Sequence, residues 1–409
     1  MTSRTRAVPT PRARARREQL ASIAARMFAQ YGFHNVSVND IAASAGISGP
    51  AIYRHFPSKQ AILGDVLQSR LEQAVGIVDS RLDGPAAGRG QVKGERLSGA
   101  YGELAAFVVK MPEFGVLWRR ERRHLGHEEA AMTAALMKSV AAPLVGELRD
   151  LRPELTEADA ELLSWGALSV LGSVSDHRVR LTPAAFERLL VSVVMGLVTA
   201  DVPPAPAADA LPGPSGEEPP TLDTRREQLL AAAARLFWDR GYHAVTMEEI
   251  GAAAGIAGPS IYNHFTNKVE LLQTAADRIG ERLRRTTAQA RVADQPAGQT
   301  LELLAESYVG TVLGCRDLLA AYFSEGHNLP ERSVAEARRF QAAYARYWAD
   351  LVQAVLPDVT EKVARIRVHA AFAVVNDLAL TRRFMSRPAL ASDLRALMLA
   401  VLAGSSGTV

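Results

Sequence analysis

The sequence predicts an all-α protein made of two tandem copies of one helical unit, and three observations carry that reading. Residues 16–63 align without a gap to residues 225–272 at a shift of 209, with 25 identities in 48 positions. In both segments the apolar residues recur at i, i+3, i+4, i+7 and i+8: Leu20, Ile23, Ala24, Met27 and Phe28, then Leu229, Ala232, Ala233, Leu236 and Phe237. No stretch alternates apolar and polar residues in a β-branched context, so no sheet is assigned.

The elements follow in chain order. Residues 1–15 read as a basic arm, because six arginines (Arg4, Arg6, Arg12, Arg14, Arg16, Arg17) precede residue 18. Residues 1–63 hold nine Arg/Lys against two Asp/Glu, a balance that suits a polyanion. The first helix of each copy stops at Gly32 or Gly241, where a left-handed cap is wanted. Ser37 stands three residues before Asp40, and Thr246 three before Glu249, so both open a second helix with a capping box. Gly46 and Gly255 end that helix after two turns; Pro50 and Pro259 suit the first turn of a third, and Ser58 and Asn267 cap a fourth. Further helices are expected near 96–110, 113–123, 128–150, 157–178 and 184–199, with counterparts near 299–313, 316–326, 331–355, 360–383 and 389–402. The repeat persists weakly here: Glu121, Leu125 and Pro153 meet Glu325, Leu329 and Pro357 at a shift of 204. The resulting division is an arm at 1–15, a head at 16–63, a helical regulatory domain at 64–200, a Pro-rich linker at 201–224, a second head at 225–272 and a second regulatory domain at 273–409.

Composition narrows the function classes. Hydrophobic residues at 48% and charged residues at 22% give an ordinary globular balance, with a net charge of +3. The single cysteine, Cys315, can form neither an internal disulfide nor a Cys-rich zinc site, which points to a reducing compartment. No uninterrupted apolar run reaches the length of a membrane span and no apolar stretch follows the basic N-terminus, so a cytoplasmic protein with no membrane partner is expected. Glu121, His124, His127 and Glu128 suggest a metal, but Glu325, Asn328 and Glu331 stand at the first three places in copy two, so no metal is expected. Gly88, Gly90 and Gly94 lack the preceding strand and the Lys-Ser/Thr ending of a phosphate loop. No nucleophile–base pairing recurs, so neither an enzyme nor a cofactor is expected.

Two short helices joined by a glycine turn form a helix-turn-helix, whose second helix must present small or polar residues to the major groove. Those residues are Ser48, Gly49, Pro50 and Ala51, and in copy two Ala257, Gly258, Pro259 and Ser260. Ile41, Ile47 and Ile52, with Ile250, Ile256 and Ile261, supply an apolar inner face. Tyr53, His55 and Lys59, with Tyr262, His264 and Lys268, are placed to meet phosphates; the N-cap residues Ser37 and Thr246 join the DNA-facing set. Arg54 faces Asn263 in the alignment, and arginine prefers guanine where asparagine prefers adenine.

With G-(F/Y)-H-x-V-(S/T), I-A-x-x-A-G-I and G-P-x-I-Y-x-H-F-x-x-K in each copy, the sequence resembles the TetR family of bacterial transcriptional regulators, present twice; Gly251 replaces Ala42. The resemblance implies a three-helix DNA-binding head joined to a helical ligand-binding and dimerising body. It also implies phosphate contacts for Tyr53, His55 and Lys59 and base-facing positions for Gly49, Pro50 and Ala51. The expected partners are double-stranded operator DNA and a small-molecule inducer held in a pocket within each body. Candidate lining residues are Phe107, Phe114, Trp118 and Trp165 in copy one, and Tyr308, Tyr322, Phe323, Tyr344, Trp348 and Phe372 in copy two. Family members act as homodimers, so one fused chain is expected to form a pseudo-dimer through 157–199 and 360–402, with higher oligomers open. The expected function is a repressor released by its inducer, reading an asymmetric operator. The alternative is a helical small-molecule or protein-binding module with one or both heads inactive: residues 225–272 balance five Arg/Lys against five Asp/Glu, and Glu248 and Glu249 lie near the phosphate path.

Overall fold

The computed structural model describes residues 11–82, 93–202, 225–256, 258–293 and 295–404. Among them there is no strand. Copy one runs α1 Pro11–Tyr31, α2 Val38–Ser44, α3 Gly49–Ile52, α4 Lys59–Leu82, α5 Lys93–Lys110, α6 Phe114–Val116, α7 His127–Leu151, α8 Glu157–Gly172 and α9 Pro183–Val198. Copy two runs α10 Arg225–Arg240, α11 Met247–Ala253, α12 Lys268–Val292, α13 Ala297–Gly314, α14 Arg316–Glu325, α15 Glu331–Val355, α16 Glu361–Leu380 and α17 Leu390–Ala403.

Local chemistry sets the boundaries. Gly32 and Gly241 each hold φ of 83°, and Gly46 and Gly255 hold 67° and 70°, all in the left-handed region that lets the chain turn out of a helix. Both capping boxes form: Ser37 Oγ accepts from Asp40 N at 3.1 Å while Ser37 N donates to Asp40 Oδ2 at 2.8 Å, and Thr246 with Glu249 repeats the pattern at 3.2 and 2.8 Å.

Four expectations are corrected. The helix α1 starts at Pro11, so Arg12, Arg14, Arg16 and Arg17 belong to it and not to an arm; proline tolerates a first turn. Arg4 and Arg6, most of the linker (203–224), Gly88, Gly90 and Ala257 lie outside the described residues. The helix expected at 113–123 is broken into α6, a π turn at Leu117–Glu121 and a 3-10 turn at Arg122–His124. The helix expected to reach 178 stops at Gly172 and a 3-10 turn at Ser173–Ser175, because Arg119 takes the Gly172 carbonyl. In copy two the third helix is a 3-10 turn, Gly258–Asn263.

Each head has its own apolar core, centred on Phe28, Ile41, Ile52 and Phe56 in one and Phe237, Ile250, Ile261 and Phe265 in the other. The two bodies share a single core. It runs without a break from Leu163, Ala167 and Val170 of α8 to Ala371, Val374 and Leu378 of α16, and from Val194 of α9 to Leu397 and Val401 of α17. Helix α8 lies against α16 and α9 against α17. Small residues permit the approach: a Cβ on Gly166 would stand 3.3 Å from both Leu197 methyls and 3.8 Å from Leu378 Cδ1, and one on Gly196 would stand 3.9 Å from Gly404 Cα. Ion pairs join the rim, Arg387 with Asp159 and Arg383 with Glu161 at 3.3 Å. The helix α7 is long and apolar enough by composition to cross a membrane, but Val140, Leu144 and Leu148 on it are buried in the first body.

Gly166→Leu is therefore expected to lower the unfolding free energy by about 1–3 kcal/mol, the usual cost of overpacking, as read from urea unfolding.

Candidate nucleic-acid interface

In each head the surface expected to meet DNA faces outward. Ser37, Ser48, Pro50, Tyr53 and Arg54 are exposed, with Gly49, Ala51 and His55 half-buried; Thr246, Ser260, Tyr262 and Asn263 are exposed and His264 half-buried. The side chain placement of Gly258 and Pro259 is outside the described set, although their backbone opens the 3-10 turn. A Cβ on Gly49 would meet the tip of the exposed Asn39 side chain, which would have to turn aside. Phe56 and Phe265 are core residues.

The lysines have another occupation. Lys59 Nζ donates to Phe33 O at 2.8 Å and Val36 O at 2.9 Å; Lys268 Nζ donates to Tyr242 O at 2.6 Å and Val245 O at 2.7 Å. Each ammonium also lies over an aromatic ring, Phe33 or Tyr242, and burial lowers its pKa. Two of the three N–H donors thus clamp the loop after the first helix, and one is left for any phosphate. Arg17 behaves alike, bonding Asp65 Oδ1 at 2.6 Å and His55 O at 2.5 Å over the Phe56 ring.

The two heads are not equivalent. Tyr262 Oη donates to Glu248 Oε1 at 3.0 Å, so the phenol of head two is tied to a carboxylate on α11. Copy one has Asn39 at the position of Glu248.

Sequence reasoning missed the joint between head and body. Glu121 is fully buried, and its Oε2 accepts the Phe33 backbone N–H at 3.0 Å. Glu325 repeats this, accepting Tyr242 N at 2.9 Å while 1% exposed. Each carboxylate is answered by an arginine: Arg120 pairs with Glu121, whereas Arg123 of copy one crosses to Glu325 of copy two and donates to Ser324 O at 2.8 Å. Arg120 also bonds the Phe28 and Ala29 carbonyls at 3.2 and 2.8 Å, closing the end of α1. The available signal was the persistence of Glu121 and Glu325 in a region where the repeat otherwise fades. His34 and His243, equivalent at a shift of 209, meet between the heads with ring centroids 4.5 Å apart.

The separate pocket expected within each body is also corrected. One cavity of about 610 Å³ extends through both. Phe107, Phe114, Trp118 and Trp165 line it together with Tyr308, Tyr322, Phe323, Tyr344 and Phe372. Trp348 does not; it is fully buried behind Phe372, with ring centroids 5.3 Å apart. Where the bodies meet, Arg119 donates to Asp176 Oδ2 at 2.7 Å and approaches Asp377 Oδ1 at 3.8 Å. Burial raises the Asp377 pKa to about 6, with Arg119 opposing. His177 stands 5.2 Å from His369; burial, then that neighbour, pushes it down to about 3, and burial lowers His369 too.

A family model described as "Bacterial regulatory proteins, tetR family" matches residues 21–66 and 229–275. The chain is 46% identical over 76 residues to the HTH-type transcriptional activator FasR of Mycolicibacterium smegmatis, covering 17% of this chain and 35% of that protein. It is 40% identical over 75 residues to the HTH-type transcriptional repressor KstR2 of Rhodococcus jostii, covering 17% and 37%. This chain thus spans about a third of the length of these curated relatives. Among solved structures, the TetR family regulator PfmR from Thermus thermophilus aligns at TM-score 0.36 and 24% identity, covering 42% of this chain and 97% of that one. The ketosteroid transcriptional regulator KstR2 of Mycobacterium tuberculosis aligns at 0.39 and 19%, covering 44% and 94%.

Two outcomes follow from this geometry. Glu121→Ala and Glu325→Ala should each cost about 3 kcal/mol of unfolding free energy, because each leaves a half-buried arginine without its carboxylate and a buried backbone N–H without its acceptor; urea unfolding measures it. Stability should also fall with acid. His34, His177 and His369 have folded pKa values below the ordinary 6.5, so the unfolded chain binds more protons and stability drains as pH falls below about 6.5. Asp377, raised to about 6, and Asp393, also raised by burial, work in the opposite sense but are two groups against three. The melting temperature should drop between pH 7 and pH 5, and His177→Gln should flatten that drop.

Proposed function

From a chain that carries two DNA-binding heads of the tetR family of bacterial regulatory proteins in tandem, we propose a transcriptional regulator that grips operator DNA with both heads of one polypeptide and lets go when a small molecule fills its cavity. It is not an enzyme, and its place of action is the cytoplasm. The last two helices of each body supply the pairing that separate chains would otherwise provide, and the tether holds the halves at an effective concentration on the order of millimolar.

The observation that carries the reading is a run of three residues on the π turn. Arg119 faces the cavity; Arg120 holds the carbonyl end of α1; Glu121 holds the loop after it. A ligand that moves Arg119 therefore moves the residues that fix the tilt of the first head. Binding shifts the head only so far as the ligand favours one of the two tilts. Copy two has the same joint at Glu325, tied to copy one through Arg123, so the two heads respond together.

The heads read different sequence. Ser48, Ala51 and Arg54 stand against Ser260 and Asn263, which favours an asymmetric operator over a perfect inverted repeat. The tie between Tyr262 and Glu248 favours unequal grip as well, with head one dominant. Fluorescence anisotropy with the gene's own upstream DNA tests this. Tyr53→Ala should weaken binding at least tenfold and Tyr262→Ala by less. Glu248→Asn should strengthen binding and steepen its salt dependence, because it removes a charge from the phosphate path. Equal losses at Tyr53 and Tyr262 with no gain at Glu248 would rule out the unequal grip.

A further inference from the structure

The cavity is chemically two-ended, and each end comes from a different copy. At the 204 shift, Tyr308, Tyr344 and Phe372 of copy two stand where copy one has Leu104, Val140 and Leu168. These rings form a stack: Tyr308 and Phe372 lie 4.6 Å apart at 24°, and Tyr344 and Phe372 5.6 Å apart at 19°. The reverse holds for cations. Arg119 and Arg122 of copy one face Phe323 and Gly326 in the alignment. Both guanidiniums and all three rings line the same space.

The guanidiniums differ in their compensation. Arg119 is saturated by Asp176, Asp377, Ser175 and the Gly172 carbonyl. Arg122 lies over the Trp118 ring at 4.6 Å, and no carboxylate comes within ion-pair distance of it among the described residues; Asp377 acts on it only from further off. It lines the cavity and is exposed, and partial burial of its head lowers its pKa. An unpaired cation at the edge of an apolar hollow is stabilised by an anion that brings its own apolar body.

We propose that the cavity binds one flat organic anion per chain, its acidic head on Arg122 of copy one and its ring in the Tyr308–Tyr344–Phe372 stack of copy two. Copy one lacks the ring stack, and Arg284, which copy two adds to the lining, is paired with Glu281, so the site exists only in the joined pair and its stoichiometry is one. A volume of about 610 Å³ suits a single ligand of drug size. This deepens the ligand-release reading by naming the class of ligand, and binding itself can be tested without DNA.

The test uses two dyes, anilinonaphthalene sulfonate and its uncharged parent N-phenylnaphthylamine, titrated by calorimetry and fluorescence into the full chain. One sulfonate per chain is expected. Arg122→Gln should weaken the sulfonate at least tenfold and the neutral dye less than twofold, whereas Phe372→Leu, which installs the copy-one residue, should weaken both. Thermal melting checks that each variant is folded. Two sulfonates per chain, or equal effects of Arg122→Gln on both dyes, would overturn the proposal. Anisotropy with upstream DNA in the same samples separates the two ideas: the expected dye pattern with unmoved DNA affinity keeps the site and removes ligand release.

Discussion

A carboxylate buried at the seam of head and body governs this architecture. Glu121 and Glu325 sit out of water, and a backbone N–H and an arginine answer each of them there. Those contacts fix the loop after α1 and α10, and with it the angle at which each helix-turn-helix leaves its body. The clamps by Lys59 and Lys268 act on the same loop from the other side. Each head has its own core, which takes in Leu117 of the first body or Ala321 and Leu329 of the second, and these polar contacts set its position on that apolar seat.

Duplication within one chain has allowed the symmetry to break where it is useful. The helical pairing of α8 with α16 and α9 with α17 keeps its small residues and shared core. The cavity lining has diverged, with Arg119 and Arg122 on one side and the Tyr308–Tyr344–Phe372 stack on the other. The exposed surfaces of the two heads have diverged in charge and contact, through Glu248 and its bond to Tyr262. A homodimer cannot make these choices, since every substitution would appear on both sides of its axis.

Much of this was legible in the sequence. The glycines with positive φ, the two capping boxes and the caps at Ser58 and Asn267 follow local rules, and local rules read correctly. The errors came where distant residues decide. Arg119 ends α8 by taking a carbonyl from 53 positions away, and Glu121 serves a backbone amide 88 positions away. Residues 117–121 carry an ordinary helical pattern, so nothing local announces the π turn that aims Arg119, Arg120 and Glu121 in separate directions. Trp348 and Phe372 have equal claims to a pocket by type; only packing shows that one stands behind the other.

The common core of the bodies has a bearing on biosynthesis. Helix α9 ends at Val198 and its partner α17 at Ala403, so the first half leaves the ribosome long before the surface meant to cover α8 and α9 exists. At 5–20 residues per second the gap is roughly ten to forty seconds. Throughout it, a nascent chain displays a bare apolar face, and on a polysome the neighbouring chain displays the same one. The tether that follows α9 keeps the proper cover close at hand once it emerges, which makes the order of translation part of how this molecule avoids pairing with its siblings.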